Sequence, residues 1–248
     1  MALFEFRQNL IDDHVERIGI DVRPALDPVT DRVKLHDFAM WLTDTWPALY
    51  EKIVQGRSDF QVLKRFVFPG KGELEFQTFC LTDRGIVFSF PRRFAVFGED
   101  TDLGAASDVV LEAMEKFKRT WPQCKHVRFG KVNEFVFDCP GELALSVLAG
   151  RFTTFSVPLN GELTIRANLR DEQFNRIVEL TAVQKLQVDP TGSARVTGTG
   201  IAVKVDFNNQ DMSEDLPKTQ RVLVLQEADR YCTDGLYRFL NGEVEHDS

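Results

Sequence analysis

The sequence predicts an α+β fold in which mostly antiparallel sheet is covered on one face by helices. Three observations indicate this class: closely spaced runs of alternating apolar residues, short turn-like links between them, and longer stretches with helical spacing. The chain has 248 residues, 43 % of them hydrophobic and 21 of them Phe. It is therefore long enough for one large hydrophobic core or for two modest ones.

A strand followed by a helix is predicted near the start of the chain. Ile18, Ile20 and Val22 alternate with more polar positions, which is typical of a half-buried strand. Apolar residues then recur at helical spacing from residue 35 to residue 53. Pro47 lies inside this stretch, so we expect it to kink the helix or to restart it.

Three strands and a second helix are predicted next. The strands span residues 60–68, 73–81 and 86–97, and the turn-like links between them predict an antiparallel meander. Because proline cannot donate a ladder hydrogen bond, Pro91 predicts that the third strand lies at a sheet edge or carries a bulge. The helix spans about 107–121.

Another strand is predicted from Val127 to Phe137, and it carries two polar residues, Lys131 and Asn133, at inward-facing places. Cys139-Pro140-Gly141 follows it and marks a boundary.

The remaining chain predicts a short helix over 142–149, two hairpins and a long final helix over about 219–240. The predicted hairpin strands are 152–159 with 162–169, joined by Asn160-Gly161, and 177–188 with 194–207.

The order of these elements predicts two α+β halves, residues 1–139 and 140–248, which either have separate cores or form one continuous domain. A distant duplication would explain the similar rhythm, and Thr-Trp-Pro recurs at 45–47 and 120–122.

Charge and cysteine usage narrow the class of protein. The formal net charge of −8 argues against a broad electrostatic grip on nucleic acid. The four cysteines show no Cys-x-x-Cys pair, so we expect reduced thiols and a cytoplasmic protein. No stretch is apolar enough for a membrane span, and Glu5 and Arg7 interrupt what a signal peptide would require.

Four short stretches resemble a sporadically distributed family of uncharacterised bacterial proteins of about this length. They are Val15–Ile20, Trp46-Pro47, Val127–Phe135 and Val203–Phe207. The resemblance implies an α+β fold and a bacterial source; the family has no established activity, so the resemblance assigns no functional residue and no cofactor.

No catalytic residue, metal ligand or cofactor site follows from the sequence. Cys124 and His126 invite a thiol and imidazole interpretation, but no third group orients them, and a structural role is favoured. The four histidines are scattered without a His-x-x-x-His pair, and Gly198-Thr199-Gly200 is followed by a strand rather than by the helix of a dinucleotide site.

The most basic neighbourhood is the one candidate binding site. It comprises Arg92, Arg93, Lys116, Lys118 and Arg119. These cations could hold phosphate or an acidic partner, although a solvated edge is the simpler interpretation.

The sequence therefore favours a non-enzymatic protein that binds a protein partner or itself. A small-molecule binder or hydrolase with a pocket between the halves is the alternative. Nucleic-acid handling through Arg92 and Arg93 ranks third.

Overall fold

In a computed structural model, the chain forms one nine-stranded sheet in which all neighbouring strands are antiparallel. The structure describes residues 4–243, except 28–29, 48, 57–58, 69–71, 84, 93–102, 155–157, 159–160, 189–192 and 211–213. The strands are β1 (Ile11–Arg23), β2 (Lys52–Gln55), β3 (Asp59–Phe68), β4 (Gly72–Thr82), β5 (Gly85–Arg92), β6 (Lys125–Asp138), β7 (Thr164–Arg170), β8 (Phe174–Val188) and β9 (Ala194–Asn209). Their order in the sheet is β2-β3-β4-β5-β1-β6-β9-β8-β7.

The helices are α1 (Arg32–Thr45), α2 (Leu103–Thr120), α3 (Ala144–Phe152), α4 (Lys218–Arg230) and α5 (Leu236–Leu240), with a 3₁₀ turn at Gln8–Leu10 and a π-helical turn at Tyr231–Gly235. The predicted α+β class and the antiparallel strand pairing are thus confirmed, although the strands form one sheet rather than a sheet in each half. Among the described residues, no helix has the length and apolar character that a membrane crossing requires.

The helices pack on one face of the sheet. Buried residues of adjacent strands pair directly, as Ile20 does with Phe129 and Val178 with Val205, so they point to the same side. The opposite face carries ion pairs, including one between Arg17 and Glu134.

The sheet is continuous across the boundary predicted at residue 139, because β6 pairs with β9 from Gly130 to Asp138. The order of elements repeats only when the chain is divided before β6: a strand, a helix, a meander and a helix run from β1 to α2 and again from β6 to α4. In each of these two sets of elements the first strand also pairs with the last strand of its own meander, β1 with β5 and β6 with β9.

Two hydrophobic clusters lie between the sheet and the helices. The first includes Phe38, Phe117 and Trp121 of the N-terminal range together with Leu225 of α4. The second consists mainly of C-terminal residues but also takes in Phe6. Each cluster thus takes residues from both ranges.

Pro47 ends the first helix rather than kinking it. α1 stops at Thr45, and Trp46 adopts φ −129° and ψ 66°. A residue before proline avoids the helical region, so the chain leaves the helix there and Ile53 belongs to β2.

Pro91 lies in an interior strand, contrary to a simple edge position. β4 pairs with β5 only from Phe79 and Phe88 to Leu81 and Ile86. Beyond Phe88, β1 is the one described neighbour of β5, so the missing N–H of Pro91 need not break a ladder on the β4 side.

Two further boundaries differ from prediction. Phe152 ends α3 instead of beginning a strand, and residues 153, 154 and 158 are not in a strand either; residues 155–157, 159 and Asn160 lie outside the described residues. The final helix is interrupted by the π-helical turn. The 177–188 and 194–207 hairpin is confirmed as β8 and β9, each slightly longer than predicted.

Candidate functional site

The predicted cationic neighbourhood is spread over the sheet. Arg92 is the last residue of β5, and its backbone pairs with His14; Arg93 lies outside the described residues. Lys118 instead donates to the carbonyl of Cys124, the residue before β6. The first residue of β6, Lys125, pairs with Arg23 at the far end of β1. Arg23 follows His14 by nine positions on β1, and each position adds about 3.3 Å, so Arg92 and Lys118 lie about 30 Å apart along the sheet.

The three cations of α2 have local partners or lie in solvent. Lys116 Nζ lies 5.7 Å from the centre of the Trp41 ring. Lys118 Nζ pairs with Asp215 at 2.5 Å. Arg119 is exposed, and its Nε donates to the carbonyl of Glu115. The structure does not bring these residues together with Arg92 into one patch.

Cys124 and His126 are both buried, and each contacts other groups. Burial and the Asp31 charge raise the pKa of the Cys124 thiol, although Lys118 opposes the shift. His126 Nδ1 accepts a hydrogen bond from Arg221 Nη1 at 3.1 Å. Burial first, and then the charges of Arg221 and Lys118, lower the pKa of His126 to about 4. A thiol that stays protonated is a poor nucleophile, and an imidazole with a lowered pKa is a poor base to activate it.

His126 belongs to a latch that holds the start of α4 against β6 and α2. Its backbone N–H donates to Asp215 at 2.7 Å, and its carbonyl accepts from the N–H of Leu216. Arg221 donates to Glu115 of α2 at 2.9 Å as well as to His126. We call these five residues the latch.

A second polar cluster lies in the core at the centre of the sheet. Lys131 of β6 is fully buried and pairs with Glu16 of β1 at 2.8 Å and with Asp229 of α4 at 2.5 Å. Two carboxylates around one buried ammonium compensate its charge and attach α4 to the two central strands.

The cluster continues under the π-helical turn. Asn133 Nδ2 donates to Cys232 Sγ at 3.3 Å, and Asn133 Oδ1 lies 3.0 Å from His14 Nε2. The His14 ring stacks on Phe135 with centres 4.2 Å apart. Burial is the main cause that raises the pKa of the Cys232 thiol to about 12. The thiol is therefore a neutral packing group rather than a nucleophile.

Sequence reasoning found only part of this cluster. The inward places of Lys131 and Asn133 in the strand alternation were the signal, and both side chains are buried as predicted. Glu16 precedes Ile18, Ile20 and Val22 in the same alternation and carries the matching signal, which was missed. Asp229 and Cys232 could not be assigned, because their approach to β6 depends on how α4 docks.

An exposed ribbon extends beyond the sheet. β7 pairs with β8 only as far as Thr181, and β6 pairs with β9 only as far as Gly200. Among the residues that the structure describes, 185–188 therefore pair only with 194–198, and we call these two ranges the ribbon. Within it, Leu186 and Val196 pair directly across the strands, with 58 % and 51 % of their surfaces exposed.

The described residues hold no group of three or more His, Cys, Asp or Glu side chains placed to bind a metal ion. A comparison of the sequence with protein-family models gives no match, and a comparison with curated proteins gives none either. The function is therefore inferred from the geometry alone.

Proposed function

We propose that this chain is a non-enzymatic assembly protein that associates with a second copy of itself through the ribbon. The observation that carries the proposal is the exposed Leu186 and Val196 pair. Two large aliphatic side chains that face water across from each other form a small apolar surface, whereas scattered exposed residues need no explanation.

The ribbon is also poorly supported in one copy of the chain. A two-stranded hairpin with no third strand is at best marginally stable in water. In the described part of the chain, neither outer edge of the ribbon has a neighbouring strand, and an open strand edge can pair with another strand. Contact with a partner would cover the apolar pair and could also provide hydrogen bonds for backbone groups along one edge of the ribbon.

A second copy is the partner that this geometry favours. Two ribbons related by a two-fold axis present the same patch to each other, which is the usual arrangement of closed dimers.

A non-enzymatic role is supported by the chemistry of the buried groups. Burial is the leading cause that raises the thiol pKa at all four cysteines, to about 11 at Cys139 and about 12 at Cys232. The Lys131 ammonium is paired with two carboxylates. Nucleic-acid binding is not favoured, because Arg92 and Lys118 lie far apart along the sheet.

We also propose that the elements β1 to α2 and the elements β6 to α4 are two copies of one structural unit, divided before β6 rather than at the predicted residue 139. Their shared order of elements supports this, as does Arg-x-Gly at 17–19 and 128–130, whose glycines pair directly with each other. The Thr-Trp-Pro copies follow α1 and α2, which are not equivalent helices, so they add no support. The four free cysteines suit a cytoplasmic location.

The experiment for self-association is size-exclusion chromatography with light scattering. We expect twice the mass of one chain for the wild type. The double variant Leu186→Thr/Val196→Thr keeps strand-forming residues but removes apolar surface, so we expect the mass of one chain. The control is Val33→Thr/Leu143→Thr, which changes residues that are 73 % and 48 % exposed elsewhere, and it should remain a dimer.

A wild-type protein that stays monomeric at the highest concentration free of aggregates would contradict the proposal. So would a ribbon variant that keeps the wild-type mass.

A further inference from the structure

A cavity of about 280 Å³ lies between α4 and the ends of β8 and β9. Phe174 begins β8, Asn209 ends β9, and Val224 of α4 faces them. All its lining residues belong to the C-terminal range, so it is not a pocket between the two predicted halves. It lies at the end of the β8 and β9 hairpin opposite the ribbon.

The interior of the cavity is largely apolar. Phe174 packs against Phe207 with ring centres 5.1 Å apart, and Leu216 and Val224 are buried. The Asn209 amide is already engaged, since its Oδ1 accepts from the N–H of Phe129 and its Nδ2 donates to the carbonyl of Val127. A ligand would therefore meet rings and aliphatic groups inside.

The rim of the cavity carries one exposed apolar residue and three polar ones. Leu223 is 41 % exposed on α4 beside the opening. Gln173 and Gln220 bring carboxamides that can donate and accept hydrogen bonds, and Glu172 brings a negative charge. None of the lining residues is cationic, so the site disfavours anions.

The walls are held in place without a ligand. The latch fixes the start of α4, and the Leu216 N–H that donates to His126 fixes the loop before it. A preformed cavity binds without the entropic cost of ordering its walls.

The size of the cavity restricts the ligand. An apolar cavity of about 150 Å³ holds one benzene ring, and drug-sized ligands occupy about 300 Å³ or more. A volume of about 280 Å³ thus suits one substituted ring or two fused rings.

We propose that this cavity binds a small uncharged aromatic molecule whose hydrogen-bonding group meets the carboxamides at the rim. The proposal does not depend on self-association, because the ribbon lies at the other end of the hairpin.

The probe is indole, which has two fused rings and one N–H donor. Isothermal titration calorimetry should show saturable binding of one indole per chain to the wild type. Leu223→Glu places a second negative charge at the rim, and we expect it to weaken binding about tenfold or more. Leu143→Glu changes a similarly exposed leucine outside the cavity and should bind like the wild type.

In a second variant, Gln220→Trp, the larger side chain fills the opening from an exposed position, so binding should be abolished. Circular dichroism checks that every variant is folded. The absence of saturable binding to the wild type overturns the proposal. Binding that Leu223→Glu and Gln220→Trp leave unchanged overturns it as well, and so does an equal loss in Leu143→Glu. Repeating the titration with the ribbon variant separates this result from that of self-association.

Discussion

A charged residue, Lys131, lies in the core, where burial of an unpaired charge would be strongly unfavourable. Lys131 is fully enclosed, and its ammonium is compensated by Glu16 and Asp229. Removing one partner of a buried ion pair leaves the other charged in a low-dielectric site, which costs more than the pair itself contributed.

We expect Lys131→Met to lower the free energy of unfolding by about 3 kcal/mol or more, because Glu16 would remain buried without its cation. Urea unfolding followed by circular dichroism measures this. The double variant Glu16→Leu/Lys131→Met should recover most of the loss. Lys204→Met serves as the control, because Lys204 is exposed and its pair with Glu134 is a long surface contact of 3.9 Å. Similar losses in Lys131→Met and Lys204→Met would refute a special role for the buried pair.

His126 links stability to pH. Burial and the facing charges of Arg221 and Lys118 lower the pKa of His126 from 6.5 to about 4, while Asp215 opposes them. Because the folded-state pKa is the lower one, the unfolded chain binds more protons between these values. The free energy of unfolding is therefore unaffected by His126 protonation above pH 6.5. It declines as the pH falls toward 4, by up to about 1.4 kcal/mol per pH unit.

The measurement is urea unfolding of the wild type and of His126→Gln in steps from pH 7 to pH 4. His126→Gln keeps an acceptor for Arg221 but does not titrate, so its stability should fall less steeply over this range. His36→Gln, at an exposed position on α1, should retain the wild-type pH dependence. Parallel curves for the wild type and His126→Gln would argue against the assignment.

At the scale of the element, the final helix shows a conflict between propensity and packing. Gly235 weakens a helix by about 1 kcal/mol relative to alanine. It ends the π-helical turn, and a Cβ added there would lie 2.7 Å from Cδ2 of the Tyr231 ring. That ring is itself packed against Phe207 and Arg176.

We therefore expect Gly235→Ala to destabilise the protein by about 1 kcal/mol, because overpacking against Tyr231 outweighs the gain in helix propensity. Gly150→Ala is the matched control: Gly150 lies in α3, a Cβ added there meets no atom within 4 Å, and stability should rise by about 0.5–1 kcal/mol. Thermal unfolding compares the two variants, and a stabilising Gly235→Ala would show that Tyr231 moves freely.

Element types were largely predictable because periodicity and turn residues are local signals. The 194–207 strand was predicted almost to its bounds, and Pro47 was identified as a break in the first helix. Element ends were less predictable. Whether Pro47 kinks or terminates α1, and whether Phe152 belongs to a helix or a strand, depends on contacts with distant residues.

At the scale of the whole molecule, the pairing of β1 with β6 makes one sheet out of two similar sets of elements. Residues from both sets enter each hydrophobic cluster, and α4 is attached to the central strands through Asp229. The ribbon extends because its neighbouring strands end earlier than β8 and β9 do.

The candidate site follows the same division. A hairpin containing Leu186 and Val196 was predictable from alternation, but their exposure was not, since it depends on where β6 and β7 stop. The basic residues near Arg92 looked close in the sequence, yet the register of β5 with β1 and the direction of α2 carry them to opposite ends of the sheet.

The sequence by itself determined the α+β class, most strands and helices, and the inward positions of Lys131 and Asn133, because each of these depends on the spacing of neighbouring residues. Only the tertiary structure decided that the two ranges share one sheet, which groups surround Lys131, and which apolar residues remain in water. Those features depend on pairings between residues far apart in the chain, and the free energy of such pairings is set by packing and desolvation rather than by local propensity.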